Sequence, residues 1–139
     1  MFKKINLQFV LSYLGLLPFL IILIDKFFFK FLEYNIVNNF SIFYSIIFLV
    51  FIGAVNWNLK KNISFLAILV GFMPSLASVL VIIMFLYSYE VINYLIILFI
   101  IQLILDNFIY IEKKARIVFF RLRIPLTLTI LLCLTFIQL

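Results

Sequence analysis

Long apolar runs alternate with short polar breaks along this chain, and the runs number five. They fall at about residues 7–24, 40–59, 63–87, 91–110 and 125–139. The first four are of the length that an α-helix needs to cross ~30 Å of hydrocarbon. The fifth covers only ~22 Å at 1.5 Å per residue, so it must start close to one interface. The breaks carry the charge: Asp25-Lys26, Lys60-Lys61, Glu90, and a basic segment from Glu112 to Arg123. This pattern predicts an all-α integral membrane protein, one transmembrane domain over residues 1–139, built as a bundle of five transmembrane helices.

Within the runs a few residues stand out. Gly15 and Pro18 interrupt the first, which neighbouring helices can tolerate in a membrane bundle. Its basic start resembles that of a signal peptide, but the run is longer than the ~7–15 residues of an h-region and no small-residue cleavage site follows. It therefore reads as a retained span. Residues 25–39 mix charge with Phe27, Phe28, Phe29, Phe31 and Tyr34, and read either as a short interfacial helix or as a loop touching the headgroups. In the third run Gly71, Ser75 and Ser78 follow i, i+4, i+7 spacing, a narrow face of small residues that admits another helix closely. At the fifth, Pro125 suits a first helical turn and pushes Ile124 out of the α region. Arg121 to Ile124 then reads as a short extended lead-in, with Arg121 and Arg123 on one side and Leu122 and Ile124 on the other.

Composition agrees with the pattern. Hydrophobic residues make up 68% of the chain and charged residues 12%, with mean hydropathy +1.37. Soluble domains run to about 45–50% apolar. The net charge of +6 does not signal nucleic acid, because the basic residues sit in short loops beside apolar spans, where they set orientation and meet anionic lipid. There is no histidine, and Cys133 is the single cysteine. That removes the commonest general base and most zinc and haem sites, and no cofactor or metal is implied.

Five spans put the N-terminus, the second loop and the fourth loop on one side. That side carries Lys3, Lys4, Lys60, Lys61, Lys113, Lys114, Arg116, Arg121 and Arg123; the other carries Lys26 and Lys30, and together these are all 11 Lys and Arg. The positive-inside rule then places the N-terminus inside and the C-terminus outside. The expected location is the bacterial inner (cytoplasmic) membrane, with the mitochondrial inner membrane as the alternative.

The same topology gathers polar residues at the inner face. Asn56, Trp57 and Asn58 end the second span, Asp106 lies near the end of the fourth, and Arg121 and Arg123 open the fifth. Gln102 and Asp106 are four apart and share a helix face. A charge within a membrane is a functional candidate by default. Near the interface its cost falls below the ~2.5–3.5 kcal/mol of a helix centre, so the favoured reading is that Asp106 pairs structurally or simply reaches water. Asp106 is expected to bond one arginine, leaving the second for an anionic lipid phosphate. Trp57 reads as an interface anchor. No Ser–His, Cys–His or metal constellation is present, so an enzyme is not expected.

Several segments carry a resemblance. Tyr13-Leu14-Gly15-Leu16-Leu17-Pro18-Phe19 comes first, then Tyr44-Ser45 through Phe51-Ile52-Gly53-Ala54-Val55-Asn56-Trp57. Met73-Pro74-Ser75-Leu76, Gln102-Leu103-Ile104-Leu105-Asp106 and Arg121-Leu122-Arg123-Ile124-Pro125-Leu126-Thr127 follow in order. Together they resemble the domain-of-unknown-function family 3429, small multi-pass proteins of proteobacteria, to which the mitochondrial transmembrane protein 69 is similar. Asn58 departs from the family pattern, which often has glycine after the tryptophan. The resemblance implies the fold and assigns no activity. The functional expectation is a structural or accessory component of a membrane complex, or a lipid-organising protein. Its partners would be the bilayer, anionic phospholipids, and another membrane protein or further copies of the chain. The alternative is a small oligomeric transporter or channel subunit.

Overall fold

The computed structural model describes residue 10 and residues 12–54, 65–110 and 113–139. Among these, five helical stretches are long and apolar enough to cross a membrane: Ser12–Phe29, Tyr34–Ala54, Ala67–Leu86, Ile92–Ile109 and Ala115–Gln138. There is no strand among the described residues. We label the helices α1 (Leu17–Ile24), α2 (Tyr34–Ala54), α3 (Phe65–Leu86), α4 (Ile92–Ile109), α5 (Lys113–Val118) and α6 (Ile124–Gln138). Two π-helical turns, Asp25–Phe29 and Phe119–Arg123, prolong α1 and join α5 to α6.

The third and fourth spans lie where the apolar pattern puts them. The other three differ, each for a local physical reason. The first continues past Ile24 through Asp25 and Lys26. The Lys30 N–H donates to the Asp25 carbonyl at 2.6 Å, an i→i+5 bond, and Lys30 adopts the left-handed conformation (φ 53°). This turns the chain back, so the Asp25 carboxylate accepts the N–H groups of Phe31 (3.2 Å) and Leu32 (3.0 Å) and is buried. Lys26 donates to the carbonyls of Phe136 (3.2 Å) and Ile137 (2.6 Å), near the free C-terminal end of α6. Two charges that mark a span's end in sequence are thus satisfied inside its last turn.

The break after the first span is correspondingly short. Residues 25–39 form neither a separate interfacial helix nor a long loop, because α2 already begins at Tyr34. Asn35, Asn38 and Asn39 weaken helix propensity there, but Val37 packs into the core at 2% exposure and fixes the turn.

At the fifth span the expected extended lead-in is replaced by helix. Ile124 has φ −61° and ψ −55°, and its N–H reaches back to the Phe119 carbonyl. Pro125 has no N–H for the Arg121 carbonyl and its ring crowds that position. The wider π turn makes room, and the freed Arg121 carbonyl accepts the Tyr13 hydroxyl at 2.7 Å. In a helix residues two apart no longer share a side: Arg121 is exposed while Arg123 is 4% exposed.

The core runs along the bundle axis through Phe19, Leu49, Leu95, Phe99, Ile130 and Leu134. α2 and α3 pack most extensively. They approach closely at Gly53, where a Cβ would lie 2.8 Å from both the Gly71 carbonyl oxygen and Pro74 Cγ. On α3, Gly71 and Ser78 are buried and Ser75 is half-buried; the Ser78 hydroxyl donates to the Pro74 carbonyl at 2.7 Å. The first span lies beside α6, joined through Tyr13 at one end and Lys26 at the other. Outward-facing Ile21, Ile47, Leu80, Ile104 and Leu132 leave an apolar exterior that hydrocarbon would cover.

Candidate functional site

The bundle has two ends. Ala54, Tyr110 and Arg121 mark the arginine end; Tyr34, Val91 and Gln138 mark the other. At the arginine end α4 stops at Ile109, placing Asp106 in its last turn and Gln102 one turn earlier on the same face. The Gln102 amide Nε2 donates to Asp106 Oδ1 at 2.8 Å. Asp106 Oδ2 faces Arg123 Nε at 3.6 Å, and the two side chains are only 2% and 5% exposed. The separation is that of an ion pair rather than of a short hydrogen bond.

Arg123 makes further contacts. Its Nη2 donates to the Ile52 carbonyl at 2.8 Å. That carbonyl belongs to the last described turn of α2. Nε and Nη2 also lie 3.3 and 3.1 Å from the Tyr110 hydroxyl oxygen. The guanidinium carbon sits 5.7 Å from the Tyr110 ring centroid, and that ring stacks on Phe119 at 5.9 Å. One arginine side chain therefore ties α2, α4 and the π turn before α6 to a single point. A planar, permanently charged fork suits this better than the point charge of lysine.

Among the described residues no buried side-chain nitrogen or oxygen lacks a hydrogen-bond partner, so this polar cluster is internally satisfied. Nor do three His, Cys, Asp or Glu side chains come together there in a way that could hold a metal ion. The arrangement can hold helices in register and neutralise a carboxylate in an apolar surround.

Of the residues singled out in the sequence, Asp106 and Arg123 meet directly. Arg121 does not join them; it points outward at the same end. Asn56, Trp57 and Asn58 lie outside the described residues. Gly71, Ser75 and Ser78 belong to the α2–α3 seam or its margin, not to this cluster. Tyr110 and the Ile52 carbonyl are members that the sequence reading missed. Tyr110 was signalled by its spacing, four residues beyond Asp106 as Gln102 is four before; a backbone carbonyl carries no such signal.

The class defined by this geometry is a protein whose described residues are all-helical, with five helices among them fit to cross a bilayer and a buried arginine–aspartate pair at one end. The profile described as "Protein of unknown function (DUF3429)" matches residues 6–139, and the chain belongs to that family. Comparison with curated proteins and with solved structures gives no match.

Proposed function

We propose that the protein is a membrane-resident accessory component that organises anionic lipid at its arginine end, with no chemistry of its own. In this reading it spans the cytoplasmic membrane with the N-terminus and the arginine end inside. One observation carries the lipid reading: Arg123 is committed to the bundle interior, while Arg121, two residues away, is exposed at the same end. Arg116 is exposed on the preceding helix, and exposed Ile117 and Phe120 lie between the two arginines. Apolar side chains dipping toward acyl chains between basic ones suit an anionic headgroup zone. The nine-to-two distribution of Lys and Arg supports a cytoplasmic position for this collar, where anionic lipid would be met.

The test is lipid retention. The full chain would be purified in mild detergent and titrated with phosphatidylglycerol and with phosphatidylcholine. Each basic residue near an anionic surface contributes about 1 kcal/mol. Replacing Arg116 and Arg121 together by Gln should therefore weaken phosphatidylglycerol binding by roughly tenfold or more, leaving phosphatidylcholine unchanged. Equal binding of both lipids by the unaltered chain, or no loss in the variant, would remove the lipid role.

A further inference from the structure

At the opposite end of the bundle, the turn between α3 and α4 and the start of α2 enclose a cleft of about 660 Å³ that also takes in Gln138 near the end of α6. That volume is within the about 300–1,000 Å³ typical of small-molecule sites. Tyr34 and Tyr89 form two of its walls, and the amide side chains of Asn38, Asn93 and Gln138 line it. Glu90 is the only charged side chain in the lining. The cleft is partly built by its own hydrogen bonding, since Gln138 Nε2 donates to Asn93 Oδ1 at 3.1 Å. Ser88, in the left-handed conformation (φ 63°), turns the chain so that Tyr89 and Glu90 come to the rim. The apolar floor is supplied by Ile42 and Phe85.

The charges around it are specific. The protein is strongly basic, yet this cleft carries a carboxylate that has no ion pair among the described residues. The two acids buried in the bundle are used: Asp25 by backbone amides and Asp106 by Arg123. A cation stands just beside the cleft, because Lys26 Nζ lies 5.8 Å from the ring of Tyr34. Two of its three N–H donors go to the Phe136 and Ile137 carbonyls, leaving one to spare. Carboxylate, tyrosine faces and amides at the level where helices end match an ammonium joined to a phosphate: cation–π and charge-assisted bonds for the first, amide and lysine donors for the second.

We infer that this cleft binds a zwitterionic phosphoethanolamine headgroup, its ammonium at Glu90 and its phosphate toward Lys26, above the apolar floor of Ile42 and Phe85. The site lies at the far end from the arginine collar and does not depend on the lipid reading of that collar. The same headgroup chemistry could be supplied by a membrane phospholipid or by a soluble phosphoethanolamine, and the experiment separates them.

The full chain in mild detergent would be titrated, with native mass spectrometry as the readout, with a phosphatidylethanolamine, a phosphatidylglycerol of the same acyl chains, and free phosphoethanolamine. Expected is a retained phosphatidylethanolamine adduct that tolerates competition by phosphatidylglycerol. Its affinity should fall about tenfold in Glu90→Gln, the loss of one charge-assisted hydrogen bond. Glu90 is exposed, so the variant should fold, and an unchanged melting temperature would show it. A second variant, Asn93→Ala, should weaken the adduct without touching any charge. Binding of free phosphoethanolamine as tightly as the lipid would keep the headgroup site and name a soluble source. Equal retention of both lipids, or an adduct indifferent to Glu90→Gln and Asn93→Ala alike, would overturn the inference.

Discussion

Removing either partner of the Asp106–Arg123 pair should destabilise the bundle, and the two losses should not add. Both side chains are buried, so the survivor of a single replacement is left as a desolvated charge. Breaking such a pair typically costs about 3–5 kcal/mol. The structure ranks the two cases. In Asp106→Asn, Arg123 still donates to the Ile52 carbonyl and the Tyr110 hydroxyl, and the new amide can still accept from Gln102. The cost should fall near the lower end, about 3 kcal/mol. In Arg123→Gln the pair, the α2 carbonyl contact and the Tyr110 contacts are all lost, so the cost should approach about 5 kcal/mol. The double variant buries no unpaired charge, and its loss should be smaller than the sum of the singles by about 1–3 kcal/mol. The assay is reversible denaturation in mixed detergent micelles followed by circular dichroism. Arg121→Gln serves as the control and should change stability by no more than about 0.5 kcal/mol, because its side chain is exposed. Additivity of the two singles to within about 0.5 kcal/mol would refute the coupling. An Arg121→Gln effect as large as that of Arg123→Gln would refute the assignment of the buried arginine.

Gly53→Ala should lower the melting temperature through a cost of about 1–3 kcal/mol, since its Cβ would meet the Gly71 carbonyl and the Pro74 ring, neither of which can rotate away; an unchanged melting curve would mean that α2 and α3 are not so closely apposed. Tyr13→Phe leaves the Arg121 carbonyl without its hydroxyl donor and should cost about 1 kcal/mol, measured in the same denaturation assay, whereas an effect below the error of the assay would show that water replaces the donor there. Reporter fusions after Lys61 and Lys114 should report the cytoplasmic side, and fusions after Glu33 and Leu139 the opposite side; a C-terminal reporter found inside would sink the five-span topology.

The parts of the fold legible in the sequence are those where apolar length alone decides. α3 and α4 are bounded by a turn around Ser88 that interrupts two otherwise unbroken runs, and the pattern finds it. The boundaries that moved are those where a polar residue is satisfied by the bundle rather than by water. Asp25 and Lys26 look like a stop because nothing local announces the Phe31 and Leu32 amides or the α6 carbonyls that receive them. At the arginine end, topology was enough to bring Asp106 to an arginine, but not to say which one. That choice depended on whether residues 121–124 are extended or helical, and Pro125 points to the first while the π turn permits the second. Gly53 was visible only as part of a motif; its closeness to Pro74 belongs to the meeting of two helices, and no one-dimensional spacing reports it.

The pairing of the first span with the last has a consequence for biogenesis. Tyr13 and Arg121 are 108 residues apart in sequence, Lys26 and Ile137 are 111 apart, and each bond joins a side chain near the start of the chain to a carbonyl near its end. During synthesis the first span is made before the carbonyls that its tyrosine and lysine bond, which follow 108 and 111 residues later. The seam between the first span and α6 consequently closes only once α6 is in place. A nascent chain stalled before α6 would hold an ammonium group in search of carbonyl oxygen within the bilayer surface.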